Sequence, residues 1–329
     1  MRAILVPEKG KWAELKEVDL GKPREDEVLI KVVYSSLCYR DYLQLKGFYP
    51  RMKYPVILGH EVSGIVEEDP RGEYRKGDRV TSLLYFYDSK CDMCSIGYEN
   101  QCRNKLGYSE ELNGFFSQYA IIKRKSLLRV PSEIDMKIAS ITPCVIAMVY
   151  RGLKKASFTK GMSVLVTGAS GAVGVHAVQL VKRMGGEVIA VTSSEEKVKL
   201  IEKLGALTIT SRKFSDELRR RREVDLVIEN VGSATLDESM KSLRPGGKLI
   251  LIGNLDPSSP FNLRLGYVIV KEIEIIGNVS STRREVEEVM GYLKDIQPIG
   301  KTIEIEDVPN ALREIEMGTK GVGKVFVRG

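Results

Sequence analysis

Residues 163–174 read Ser-Val-Leu-Val-Thr-Gly-Ala-Ser-Gly-Ala-Val-Gly. The apolar run Val164-Leu165-Val166 predicts a buried strand, and the glycines that follow predict a tight turn opening a helix. Glycines in such a turn permit the bend, let backbone approach a pyrophosphate, and let the helix pack closely on the strand. The helix N-terminus then offers free N–H groups to phosphate. Gly168, Ser170, Gly171, Ala172, Val173 and Gly174 are therefore candidate dinucleotide-binding residues.

Working outward, strand and helix alternate. Strands are expected at 163–167, 187–191, 206–210, 224–229, 247–252 and 272–277, with helices at 172–184, 194–204, 215–222 and 234–243. That alternation predicts a doubly wound parallel sheet. A last helix is expected at 283–294, and Ser132 to Asp135 carries a helix N-cap signal. The end of the second strand selects the cofactor, because an NAD site usually places Asp or Glu there for the ribose 2′-hydroxyl. Here the chain reads Thr192-Ser193-Ser194, with Lys197 one turn on. Small hydroxyls and a cation suit a 2′-phosphate, so NADPH is expected over NADH, with Arg212 able to add charge. Ser193 and Glu196 also match a capping box, which one serine can form as well. His176, early in the loop's helix, is expected to be a packed residue.

Residues 1–125 have a different texture, strand-rich and broken by glycine and proline, as at Val28–Val33 and Gly64–Glu67. At 329 residues the chain is too long for one ordinary core. A hydrophobic content of 43% with 29% charged residues suits a globular protein. No apolar run approaches the roughly 20 residues of a membrane span, and none resembles a signal peptide. A cytoplasmic protein with no membrane partner is expected. The net charge of +7 comes from basic residues interspersed with acids, which argues against nucleic acid and leaves a polyanionic small molecule open. Arg219–Arg222 read as a solvated helix end. The high charge content and few cysteines are consistent with a thermophilic protein.

All five cysteines fall where a metal could use them. Cys91, Cys94 and Cys102 crowd one short stretch, while Cys38 and Cys144 stand alone with His60 between them. Spacing alone does not link those last three. The chain resembles, over essentially its whole length, the zinc-type medium-chain dehydrogenase/reductases. The residues that carry the resemblance are Ser36-Leu37-Cys38-Tyr39-Arg40-Asp41, Gly59-His60-Glu61 and Cys144-Val-Ile-Ala-Met-Val-Tyr150. It implies a catalytic zinc held by Cys38, His60 and Cys144, with the fourth position open or taken by Glu61. Cys91-x2-Cys94 resembles the start of the family's structural zinc lobe, C-x2-C-x2-C-x7-C. Gly97 is expected where the third cysteine would fall, Cys102 remains, and Asp88 or Glu99 stands available as the missing ligand. The resemblance also implies a GroES-like irregular β domain at 1–127 and 281–329, with a Rossmann doubly wound domain at 128–280 between its parts. The cleft between the two is expected to hold nicotinamide and zinc, and the chain to assemble as a homodimer or homotetramer.

The reaction is read beside Cys38. Zinc alcohol dehydrogenases carry Ser or Thr two residues after this cysteine, to start a proton relay. Here that residue is Arg40, which has no hydroxyl. Cys38-Tyr39-Arg40-Asp41 instead resembles the Asn-Tyr-Lys/Arg-Asp motif of quinone oxidoreductases and crotonyl-CoA-type reductases. Residues 37–45, 49–61, 106–116, 252–257 and 262–267 resemble the archaeal acryloyl-CoA reductases. The implied activity is NADPH-dependent reduction of a 2-enoyl-CoA thioester. Gly47-Phe48-Tyr49-Pro50 resembles the segment bearing the proton-donor tyrosine of enoyl-thioester reductases, so Tyr49 is the candidate donor and Tyr39 the second. Arg51 and Lys53 are candidates for coenzyme A phosphates. An NADP(H)-dependent zinc alcohol dehydrogenase is the alternative, and a non-catalytic NADPH-binding protein a further one.

Overall fold

The computed structural model describes residues 1–253, 258, 260–261, 263–318 and 321–329. Parts of the 252–257 and 262–267 stretches noted above therefore lie outside the described residues. The chain forms two compact units, Met1–Cys144 with Ser280–Gly329, and Val145–Val279.

The first unit is built on a seven-stranded sheet. Its centre is the long strand Glu27–Leu37, whose buried positions alternate over much of its length, as a strand with one face on the core requires. Val62–Glu68 and Lys324–Arg328 flank it, both antiparallel. In the second pairing Val325 lies opposite Leu37, the neighbours in sequence of Lys324 and Cys38. Inside, Val28, Ile30, Val62, Val66 and Phe115 form one buried cluster. The division between units falls after Cys144, whereas the sequence reading puts it after residue 127. Packing explains the difference. The helix Met136–Ile141 buries Ile138, Ala139 and Ile141. Ser63 Oγ donates to the Met136 carbonyl at 2.6 Å, and the Ser140 and Ser36 hydroxyls meet at 2.8 Å.

The second unit is a six-stranded parallel sheet, ordered Leu207–Ile209, Glu187–Val191, Ser163–Val166, Val224–Glu229, Leu243–Leu251, Glu274–Gly277. By rank in the chain this is third, second, first, fourth, fifth, sixth, the doubly wound order of dinucleotide-binding sheets. The direction of winding reverses between Ser163–Val166 and Val224–Glu229. Among the described residues of this unit, sequence patterning misses the helix Leu265–Lys271. Its Tyr-Val-Ile-Val run has strand-forming residues, and Leu265, Ile269 and Val270 are exposed, so no helical apolar stripe signals it.

Candidate functional site

Cys38 directly follows the central strand and is the N-cap of the helix Tyr39–Leu45. Asp41, at the third helical position, accepts the Cys38 N–H through Oδ2 at 2.8 Å and meets His60 Nδ1 through Oδ1 at 2.9 Å. Both groups in this contact, carboxylate and imidazole, are fully buried. The Asp41 contact fixes the histidine so that Nε2 faces Cys144 Sγ, 3.6 Å away. Cys144 lies in a π-helical turn, Thr142–Ile146, a local widening frequent at functional sites. Ser281 Oγ supports that turn by donating to the Pro143 carbonyl at 2.8 Å. Ligand atoms of Cys38, His60, Glu61 and Cys144 all lie within 4.8 Å of one another. Glu61 Oε2 is buried with no hydrogen-bond partner among the described residues. Two sulfurs, an imidazole nitrogen and a spare carboxylate oxygen converging in this way fit zinc.

The charges around this cluster are tied to a lysine that sequence reading misses. Lys324 Nζ meets Glu61 Oε1 at 2.8 Å, with both side chains essentially inaccessible to solvent. Burial opposes the charge on Lys324, but the Glu61 carboxylate overrides it and raises the lysine above its ordinary value. Burial pushes Glu61 up to about 7 even against Lys324. The Cys144 S–H holds Cys38 well below the ordinary thiol range despite burial, with Lys324 adding to the effect. Burial alone would lower His60, but Asp41 lifts it to about 9.

Arg40 and Tyr49 form a second layer. Buried Gln44 is bonded in both directions to Ser109, at 2.8 and 3.1 Å, which brings the neighbouring Glu110 to Arg40. Arg40 forms an ion pair with Glu110, and its guanidinium carbon lies 5.1 Å from the Tyr49 ring centroid. Burial raises the Tyr49 pKa, and the Arg40 cation pulls it back. Tyr39 packs at 5.6 Å against Tyr42. Arg51 pairs with Glu111 and donates to the Lys105 carbonyl, while Lys53 is exposed.

The three remaining cysteines gather with Asp88. Cys91 Sγ is 3.6 Å from Cys94 and 3.8 Å from Cys102, and Asp88 Oδ1 lies 3.3 Å from Cys102 and 4.0 Å from Cys94. This corrects the register read from sequence. Asp88-x2-Cys91-x2-Cys94-x7-Cys102 is the four-ligand spacing, with Asp88 in the first cysteine's place. Gly97, at φ 80°, is a turn residue after the short helix Asp92–Ser95. Glu99 is spent elsewhere, accepting the Arg283 N–H at 2.7 Å. The Lys90 N–H and the Asn104 amide hold the Asp88 carboxyl down at about 2, keeping it ionised as a ligand must be.

In the second unit, Gly168 has φ 56° and Gly171 is the N-cap of the helix Ala172–Arg183, whose first turn begins Ala172-Val173. A Cβ on Gly174 would stand 2.3 Å from the Gly168 carbonyl oxygen, so the helix packs on the loop at a distance only glycine allows. That cradle fits a pyrophosphate at a helix N-terminus. Thr192, just after the second strand, donates to Ser170 Oγ at 3.1 Å. The Ser193–Glu196 capping box does not form. Ser194 is the N-cap of the following turn and makes no side-chain capping bond. Ser193 and Arg212 are exposed, Lys197 is half-buried, and no carboxylate occupies 192–194. His176 is buried and donates through Nδ1 to the Ala172 carbonyl at 2.7 Å.

Residues 24–132 match the alcohol dehydrogenase GroES-like domain family, and residues 172–295 the zinc-binding dehydrogenase family. The chain is 48% identical to an acryloyl-coenzyme A reductase of Sulfurisphaera tokodaii, covering 100% of both chains. It is 46% identical to one of Metallosphaera sedula, covering 99% of each. The crystal structure of AibC superposes with a TM-score of 0.91 at 32% identity, covering 100% of this chain and 95% of that one.

Proposed function

This chain belongs to the zinc-type medium-chain dehydrogenase/reductases, enzymes of oxidoreduction with a nicotinamide cofactor and zinc, and on that basis we propose that it reduces the double bond of a 2-enoyl-CoA thioester of the acryloyl-CoA type with NADPH. The observation that carries this reading is the Arg40–Tyr49 contact beside Cys38. Alcohol oxidation by this family's relay would need a hydroxyl at that position. Arg40 offers none, and its partner Glu110 keeps it charged and in place. Relatives named acryloyl-coenzyme A reductases, similar along the whole chain, support the same substrate class.

When bound, the nicotinamide supplies hydride for the β-carbon, and zinc supplies a Lewis acid for charge developing on the thioester oxygen. Cys38, His60 and Cys144 would hold that zinc, with Glu61 able to take the fourth position when no substrate oxygen does, while Asp88, Cys91, Cys94 and Cys102 would hold a structural one. Asp41 keeps His60 oriented, and Lys324 keeps Glu61 compensated. Hydride addition leaves an enolate, which becomes the saturated thioester on gaining a proton at the α-carbon. Tyr49 donates that proton through its hydroxyl, and the Arg40 cation stabilises the phenolate left behind. Tyr39 is the second candidate donor.

Gly168, Gly171 and Gly174 hold the cofactor phosphates. Ser193, Ser194, Lys197 and Arg212 favour the 2′-phosphate of NADPH, because no carboxylate stands at 192–194 to repel it. Free thiols in two metal-ready clusters support a reducing, cytoplasmic setting. The exposed side chains of Leu265–Lys271 beside the edge strand Glu274–Gly277 support homo-oligomerisation there.

The test follows NADPH oxidation with acryloyl-CoA and, in parallel, with simple aldehydes. Consumption with acryloyl-CoA, yielding propanoyl-CoA, is expected. Turnover confined to aldehydes would replace this reading with zinc-dependent alcohol dehydrogenase chemistry, which the complete Cys38–His60–Cys144 set favours. Substituting Ser193→Asp should weaken NADPH relative to NADH by about tenfold or more, through repulsion of the 2′-phosphate.

A further inference from the structure

Glu229 is the last residue of the strand Val224–Glu229 and is fully buried. Its Oε1 accepts four hydrogen bonds, from Thr167 Oγ1 at 2.8 Å, Val231 N at 2.8 Å, Gly232 N at 3.0 Å and Thr235 Oγ1 at 2.7 Å. Its Oε2 accepts from Ser239 Oγ at 2.5 Å. No cation lies within ion-pair distance of it among the described residues. A buried acceptor of this kind is costly unless every lone pair is matched, and an apolar residue would serve a core at less cost. The donors it gathers are the more informative fact. They come from the end of the first strand, from the loop after the fourth, and from the helix Leu236–Ser242.

Those two strands are the pair between which the winding of the sheet reverses, and dinucleotides bind in the crevice at that point. A second layer of bonds joins the same loops. Asn230 donates to Thr167 through its backbone N at 3.0 Å and through its side-chain amide at 2.9 Å. The clearance over the glycine turn is set here too, since Val231 Cγ2 stands 3.1 Å from where a Gly168 Cβ would be. The adenosine half of a dinucleotide lies toward the second strand, on the Ser193 side of the crevice. The loop after the fourth strand therefore borders the other half.

We infer that Glu229 is a positioning residue, holding the loop 230–235 as the nicotinamide-side wall of the crevice. The inference rests on the reading of residues 168–174 as a dinucleotide site. It is sharper than a claim of stability, because it assigns Glu229 to one half of the ligand only.

Calorimetric titration separates the two halves. Wild type, Glu229→Gln, Glu229→Leu and Thr235→Val are titrated with NADPH and 2′,5′-ADP, and with NADH and AMP. Gln keeps a carbonyl oxygen for the four donors on Oε1, so it should bind the whole dinucleotide within about threefold of wild type. Leu removes every acceptor and should weaken it by about tenfold or more, while the adenosine fragment binds as before. Thr235→Val removes one donor at the far end of the loop and should produce a smaller loss of the same kind. If Glu229→Leu does not fold, Thr235→Val decides. Unchanged dinucleotide affinity in a folded variant, or equal loss of dinucleotide and fragment, overturns the inference alone. Failure of wild type to bind either dinucleotide overturns the reading on which it rests.

Discussion

Replacing Arg40 by methionine removes a cation held against the Tyr49 ring, 5.1 Å from its centroid. The Arg40 side chain is only 18% exposed, so solvent screens the interaction incompletely. With the phenolate charge placed at the ring centroid, a unit charge 5.1 Å away interacts with it by about 3 kcal/mol at an effective dielectric of about 20. Glu110 works in the same direction, since without Arg40 its carboxylate is left to repel the phenolate. With proton transfer limiting turnover, about 3 kcal/mol corresponds to roughly a hundredfold slower reaction. The sign of the pH effect follows from the same balance. Burial raises the Tyr49 pKa and Arg40 lowers it, so Arg40→Met moves it further up. The donor then stays protonated to higher pH, and the alkaline decline of activity shifts upward. Turnover with acryloyl-CoA and NADPH is measured across pH for Arg40→Met, Arg40→Lys, Tyr49→Phe and the Arg40→Met/Tyr49→Phe pair. The lysine variant, which keeps the charge, should retain most of the rate, and the double variant should be no slower than Tyr49→Phe alone. If Arg40→Met slows the Tyr49→Phe enzyme by as large a factor as it slows wild type, the two residues act independently and the reasoning fails.

Three further outcomes follow from the geometry. Asp88→Ala should release zinc from the Cys91–Cys94–Cys102 lobe to a chelator about tenfold or more faster while the Cys38 site keeps its metal, and Asp88→Cys should retain both; metal analysis over time checks this. Lys324→Met leaves the Glu61 carboxylate buried without its cation, which should cost about 3–5 kcal/mol, and adding Glu61→Gln should recover much of that loss in thermal unfolding. Asp69 is fully buried, and its pKa is held at about 2 because bonds from Arg124 and from the N–H groups of Tyr74 and Arg71 overcome the upward push of burial. Its folded value lies below the unfolded one, so it contributes about 2 kcal/mol above roughly pH 4, and that stability is lost as pH falls to about 2. Acid titration of unfolding should show the loss in wild type and a flatter curve in Asp69→Asn.

How far each site is legible depends on how local it is. The glycine turn at 168–174 lies within one strand–turn–helix unit, so its residues can be named from the chain alone. Ser193 and Ser194 follow at the end of the next strand, again a local position. The metal lobe is also local, and its spacing Asp88-x2-Cys91-x2-Cys94-x7-Cys102 is complete in the sequence. It is misread when only cysteines are counted, because a carboxylate is so common a surface group that it carries no signal of its own. Asp41 has a weak signal, three residues after the capping Cys38. Lys324 and Glu229 have none, since a lysine or glutamate in a strand is ordinary until its surroundings are known.

The sequence by itself determines the alternation of strands and helices, the glycine turn at 168–174, and the identity of the residues able to bind metal. Periodicity, turn chemistry and ligand type are properties of neighbouring residues, so they can be read along the chain. Tertiary structure alone decides which of those residues meet. Cys144 reaches His60 across 84 residues because its π-helical turn continues the helix Met136–Ile141, which packs on the central sheet. Lys324 reaches Glu61 across 263 residues because the last strand returns beside the first long one. Such encounters are set by strand register and by the exclusion of water from the space between elements, and neither leaves a trace in local sequence.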